Sequence, residues 1–93
     1  MIKSFSCRET EKIFNGEKSK ILPADIQSRA FQKLSMINAS EAIEDLRIPP
    51  SNHLEKLLGD RKGQWSIRIN GKYRICFSWQ GKEAYNVEIA EYH

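Results

Sequence analysis

Apolar and polar side chains alternate through residues 64–79, QWSIRINGKYRICFSW, in two runs separated by a short polar break. A period of two puts Trp65, Ile67 and Ile69 on one face of a first strand, with Ser66, Arg68 and Asn70 on the other. In a second strand Tyr73, Ile75, Phe77 and Trp79 face one way, and Arg74, Cys76 and Ser78 the other. Asn70-Gly71 is a good dipeptide for a two-residue turn, but that turn would set Ile69 against Lys72 and Ile67 against Arg74. A three-residue loop, 70–72, sets Ile69 against Tyr73, Ile67 against Ile75 and Trp65 against Phe77, so six apolar side chains share one face. The pattern therefore predicts the longer loop. Its register also sets Arg68 opposite Arg74 on the other face. Like charges opposed across a ladder cost ~0.2–1 kcal/mol. Either the two side chains splay apart into water or the face binds an anion.

The remaining elements follow from spacing and end signals. Residues 2–5 suit an opening strand. Ser6 and Glu9 have capping-box spacing for a helix over 7–15, and Gly16 suits the left-handed position after it. Residues 17–20 form a polar connector with solvated lysines. Ile26, Ala30, Phe31, Leu34 and Ile37 recur every three to four residues, predicting a helix over 23–39 whose polar face carries Gln27, Arg29, Gln32 and Lys33. Pro23 fits its first turn, and Met36 and Phe31 read as core filling. Residues 40–46 allow one helical turn, which Pro49-Pro50 stops. A long connection over 47–64 has little periodicity, and a last strand over 84–92 directs Tyr85, Val87 and Ile89 to the core with Asn86, Glu88 and Tyr92 outward. The expectation is one α+β domain over residues 1–93, with two N-terminal helices packed on a mainly antiparallel sheet in the order β-α-α-β-β-β. The far face of the sheet is left partly open and carries Arg68 and Arg74.

Composition narrows the function. Forty per cent hydrophobic and 29% charged residues in 93 suit one modest core. The net charge of +3 conceals a division. Acidic and basic residues balance up to residue 55, whereas residues 56–82 hold seven basic side chains against one acidic, and the last eleven hold three acidic and none basic. Basic charge gathered on a hairpin points to a polyanion, with nucleic acid favoured over a membrane because no basic amphipathic helix accompanies it. Cys7 and Cys76 are expected as reduced thiols, and no metal-ligand spacing, nucleotide-binding loop or serine-nucleophile motif occurs. The N-terminus lacks the apolar run of a secretory signal, so a cytoplasmic location is expected.

Among chemistries open to such residues, cleavage of RNA by its own 2′-OH needs a base, cations for the phosphorane and an acid for the leaving oxygen. Arg74, mid-strand on the open face, suits the charge role, supported by Arg68 and Lys56. For proton transfer Tyr92, His93, His53 and Glu88 or Glu91 are available.

Asn52-His53-Leu54-Glu55, Leu58-Gly59-Asp60-Arg61, Gly63 through Asn70, Tyr73 through Phe77 and the ending Val87-Glu88-Ile89 to Tyr92-His93 closely resemble the HigB toxins of the RelE/ParE toxin-antitoxin superfamily. The likeness covers essentially the whole chain, including the MIKSF opening. It implies a RelE-like fold and a type II toxin that cleaves translated mRNA on the ribosome without metal or other cofactor. It also implies a HigA-like helix-turn-helix antitoxin, and operator DNA bound only through the antitoxin complex. The family's catalytic arginine falls on Arg74, and its C-terminal acid, tyrosine and histidine fall on Glu91, Tyr92 and His93. Lys56, Arg61, Lys62, Arg68 and Lys72 would hold RNA phosphates, with His53 a possible loop contributor. Where some members carry a histidine and a lysine before the GDR glycine, this chain has Glu55 and Leu58, and His53 and Lys56 stand two residues earlier in each case. The alternatives are a ParE-like gyrase-inhibiting toxin without catalysis, and a degenerate toxin that binds only antitoxin and operator DNA.

Overall fold

The computed structural model describes residues 1–92; His93 lies outside them. The hairpin forms in the register set by the apolar pattern. Strands β2 (Gln64–Arg68) and β3 (Tyr73–Gln80) pair antiparallel with Trp65 opposite Phe77, Ile67 opposite Ile75 and Arg68 opposite Arg74. Asn70 closes the three-residue loop, because its Oδ1 accepts from the backbone N–H groups of Lys72 and Tyr73, both at 2.8 Å. The side chain that favours a two-residue turn here stabilises a longer one. Ile67, Ile75 and Phe77 lose all solvent contact, each burial contributing about 1.5–3 kcal/mol.

Helices α1 (Arg8–Phe14) and α2 (Ala24–Ala39) cover that apolar face, with Ile13, Ile26, Ala30, Leu34 and Ile37 packed into the same core. Gly16 follows α1 at φ +84°, the left-handed conformation expected there. The capping box does not form. Cys7 occupies the N-cap without a side-chain hydrogen bond, Ser6 Oγ donates to the Asn86 carbonyl, and the Glu9 carboxylate accepts from Ser19 Oγ. Tertiary partners on β4 and the interhelical connector outcompete the local cap. Phe31 remains 44% exposed and is not core filling, whereas Met36 is half-buried against the core.

Strand β4 (Glu83–Glu91) completes the hairpin with β3 and pairs on its free edge with the N-terminus, through parallel bridges of Ile2 with Ala84 and Phe5 with Val87. The expected opening strand is therefore two isolated bridges. Thr10, fully buried on α1, accepts the Ile89 N–H and fastens the helix to the same edge. A bulge between Cys76 and Ser78, with Asn86 at φ +54°, reverses the alternation of β4. Ala84 and Val87 therefore face the core, while Tyr85 pairs with Ser78 on the outer face, contrary to the alternation expected from the sequence.

The long connection is more ordered than its composition suggests. The single helical turn expected over 40–46 forms as a 3-10 turn at Ile43–Arg47, and the connection itself contains 3-10 turns at Pro50–Asn52 and Gly59–Arg61 and a two-residue strand, β1 (Glu55–Lys56). Strand β1 adds to the edge of β2, giving a four-stranded sheet ordered β1-β2-β3-β4. No described helix is long and apolar enough to cross a membrane.

Candidate active site

The outer face is built from every second residue of the strands. Glu55 pairs with Ser66, Ser66 with Cys76, Arg68 with Arg74, Cys76 with Glu88 and Arg74 with Ala90, so these groups form one surface. Ser66 and Cys76 are completely buried there, under charged side chains rather than under a helix. Arg61, Arg74 and Glu88 surround the Cys76 thiol, whose pKa is pushed up, chiefly by burial. Cys7 and Cys76 are both free thiols.

The two opposed arginines splay. Arg68 turns towards the hairpin loop, where its Nε donates to the Asn70 carbonyl at 3.1 Å and its guanidinium passes beside Gly71. Arg74 turns towards the end of β4. Its guanidinium carbon lies 4.9 Å from the centre of the Tyr92 ring, and its Nη1 is 3.8 Å from Glu55 Oε1. That separation makes a loose ion pair and leaves the guanidinium free to take another acceptor. The Arg74 side chain is only 17% exposed and lies beside the Cys76 thiol, and neither its Nε nor Ser66 Oγ on the same face has a nitrogen or oxygen hydrogen-bond partner among the described residues. An unsatisfied buried donor costs about 1–3 kcal/mol. A phosphate oxygen held by this edge of the guanidinium would satisfy it.

Tyr92 joins the cluster because its backbone N–H donates to the Lys72 carbonyl at 2.8 Å, extending the pairing past β4. Burial, and then the Glu55 carboxylate, raise its phenol pKa, while Arg74 and Arg68 act in the opposite sense. The phenol is protonated at neutral pH and faces a carboxylate and two guanidinium groups.

The other residues singled out in the sequence divide by face. Arg61 stands on the outer face, but its guanidinium is engaged by Glu88 at 2.7 Å and Gln64 at 3.1 Å, and the bond to Glu88 raises its pKa. Arg61, Lys62 and Arg74 line one shallow cleft with the almost bare side chain of Leu58. His53 lines a second cleft with Glu55, Arg68 and Tyr92. Lys56 does not join them. Pairing with Trp65 puts it on the other side of the sheet, its ammonium 5.6 Å from the Trp65 ring centre. Lys72 leans over the Tyr73 ring at 5.7 Å, and Glu91, paired with Tyr73, accepts from its hydroxyl at 3.4 Å. Alternation thus separates Glu91 from Arg74 although Tyr92, the next residue, reaches it. His93 lies outside the described residues.

Glu55 is the group that periodicity could not find. A two-residue strand is too short to show alternation, and only its pairing with Ser66 turns the carboxylate towards Arg74.

A family model for the RelE-like toxin of type II toxin-antitoxin systems, HigB, matches residues 3–93. The chain belongs to this family. It is 38% identical over 90 residues to Toxin HigB-1 of Vibrio cholerae, covering 96% of this chain and 95% of that one. It is 31% identical over 93 residues to the Endoribonuclease HigB of Proteus vulgaris, covering both chains completely. Its fold matches that of a chain in the heterotetrameric YoeB-YefM toxin-antitoxin complex of Staphylococcus aureus, with a TM-score of 0.62 and 18% identity over 100% of this chain and 95% of that chain. Two helices on an antiparallel sheet are common to both. The Glu55 carboxylate faces the Arg74–Tyr92 pair.

Proposed function

We propose that this protein is the toxin of a type II toxin-antitoxin system and an endoribonuclease, acting in the cytoplasm on mRNA engaged by the ribosome. The observation that carries the reading is Arg74, held mid-strand, over the Tyr92 ring, near Glu55 and with a buried Nε donor unpaired among the described residues. One cation, one carboxylate and one protonated phenol can fill the charge-stabilising, base and acid roles of transesterification.

The scissile phosphate accepts from Arg74, with Arg68 adding positive charge beside it. Glu55 takes the proton of the 2′-OH as the 2′ oxygen attacks phosphorus. The new O–P bond forms as the bond to the 5′ oxygen breaks, and Tyr92 gives the leaving oxygen its proton. The products are a 2′,3′-cyclic phosphate and a 5′-OH. Arg74 stabilises the phosphorane in a half-buried position, where a fixed guanidinium is worth more than in bulk water. The clefts are shallow, so the chain alone holds RNA loosely. A ribosome that stretches the message across the outer face would supply in-line geometry, an effect that can contribute about 7–11 kcal/mol. Ribosome dependence and a HigA-like antitoxin rest on the family resemblance.

Mapping the 5′ ends of a translated message after induction tests the reading. Wild type should give new 5′-OH ends within coding sequence, and Arg74→Ala should give none above background. Identical patterns from the two would overturn it. Purified gyrase should retain full supercoiling activity with the protein present; inhibition would point instead to the ParE-like mode.

A further inference from the structure

Between α2 and the tip of the hairpin lies a cavity of about 500 Å³ lined by Arg29, Gln32, Lys33, Ser51, His53 and Arg68, among others. No carboxylate contributes to its wall among the described residues. Three features mark it as a built site rather than a stretch of basic surface.

The first is Lys33. Helical periodicity assigns it to the polar face, yet it is only 8% exposed. Its ammonium donates to Oδ1 of the fully buried Asn52, whose amide in turn donates to the Leu46 carbonyl at 3.1 Å. A buried lysine normally meets a carboxylate. Here the partner is a neutral amide, so the charge is fixed in place and not neutralised. Burial, then the nearby charge of Arg29, lower its pKa.

The second is the pairing of cations. Arg29 donates to the Ile69 carbonyl at 3.2 Å and Arg68 to the Asn70 carbonyl at 3.1 Å. Both guanidinium groups are thereby oriented by the hairpin backbone, and neither makes an ion pair among the described residues. Gathering like charges without a counter-charge is unfavourable until an anion arrives.

The third is His53, a non-glycine residue at φ +45°, a backbone conformation of higher energy that occurs preferentially at binding sites. That conformation brings its side chain to the boundary of the cavity and the cleft containing Glu55 and Tyr92, and Arg68 and Gly71 line both.

We propose that Arg29, Lys33, His53 and Arg68 form a second RNA-phosphate subsite, continuous with the Arg74 site. The inference rests on the nuclease reading above and extends it. An RNA strand whose scissile phosphate sits on Arg74 passes Arg68 at the hairpin tip and delivers a further phosphate into the α2 cavity. The phosphate can belong to the cleaved message or to ribosomal RNA beside it.

The test uses the full chain carrying Glu55→Gln, which keeps RNA intact during binding. Fluorescence anisotropy with a short single-stranded RNA oligonucleotide, over a range of salt, forms one arm, and cosedimentation with ribosomes lacking message forms the other. Arg29→Ala should weaken binding about threefold to tenfold and lower the salt slope by roughly 0.7, the value for one cation on a single strand. Arg29→Lys should recover most of the loss. Lys33→Met should act in the same direction, and Arg29→Ala, at an exposed position, keeps the result readable if the Lys33 variant folds poorly. Weakening in the oligonucleotide arm assigns the subsite to the message, and weakening only with ribosomes assigns it to ribosomal RNA. No change in either arm overturns the subsite. Message cleavage separates the two ideas: cleavage that requires Arg74, with binding indifferent to Arg29, removes the subsite alone. Binding that depends on Arg29 without any cleavage by wild type removes the nuclease and keeps the subsite.

Discussion

The Arg74 guanidinium carbon sits over the ring of Tyr92, 4.9 Å from its centre, and Tyr92 directly follows the strand paired with that of Arg74. This cation–π contact helps to hold the guanidinium in place, contributing about 0.5–2 kcal/mol depending on desolvation. Arg74→Ala should lower message cleavage by about 10²–10³-fold with the fold retained, as read by circular dichroism. Arg74→Lys should restore little, because an ammonium has neither the plane nor the fork of donors. Full activity in the lysine variant would refute the stacked-guanidinium role.

Glu55 is assigned to take the 2′-OH proton. Glu55→Gln should reduce single-turnover cleavage on the ribosome by about 10²-fold or more. RNA affinity should hold or rise slightly, since a negative charge leaves the phosphate site. Glu55→His should retain part of the rate, because a histidine there can also accept a proton. A Gln variant as fast as wild type would move the base elsewhere.

Tyr92 offers a check on the geometry that needs no substrate. Its phenol pKa stands above the ordinary 10.0, raised first by burial and next by Glu55. Glu55→Gln should lower the pKa measured from its ring signals in an NMR titration, and Arg74→Met should raise it further. Shifts of the opposite sign would mean that these side chains do not surround the ring.

Asn86 adopts the left-handed conformation at the bulge that reorients β4. Asn86→Ala should destabilise the protein by about 1–2 kcal/mol in urea unfolding, and Asn86→Gly should cost much less. An alanine variant as stable as wild type would show that the bulge relaxes freely.

Two carboxylates, Glu9 and Asp45, have folded pKa values lowered by their hydrogen bonds and should contribute to the acid limb of stability. The Glu9 pKa is lowered foremost by its bond from Ser19, and that of Asp45 by the N–H of Ala42 and then of Glu41. Groups with depressed folded pKa values contribute stability above their unfolded values, here near 4.5 and 3.8, and lose it as pH falls through the folded ones. The Glu9→Gln, Asp45→Asn double variant should show a flatter dependence of thermal midpoint on pH below about 5. An unchanged slope would assign acid sensitivity to other groups.

By itself the sequence determined the hairpin register, the long helix, the helix-on-sheet class and the face that carries Arg68 and Arg74. Each follows from a period repeated over enough residues to leave no rival arrangement for six apolar side chains. The same periodicity failed where pairing was short or interrupted. Strand β1 has two residues, so the direction of Glu55 and Lys56 was settled only by their partners Ser66 and Trp65. One bulge at Asn86 sent Tyr85 to the outer face, and the Ser6–Glu9 cap gave way to partners distant in sequence. Lys33, polar by helical spacing, was buried by the turn that carries Asn52. Tertiary structure decided these positions because each depends on a contact with a segment remote along the chain, which local pattern does not encode. The assembly of Glu55, Arg74 and Tyr92 into one cluster is the chemical result.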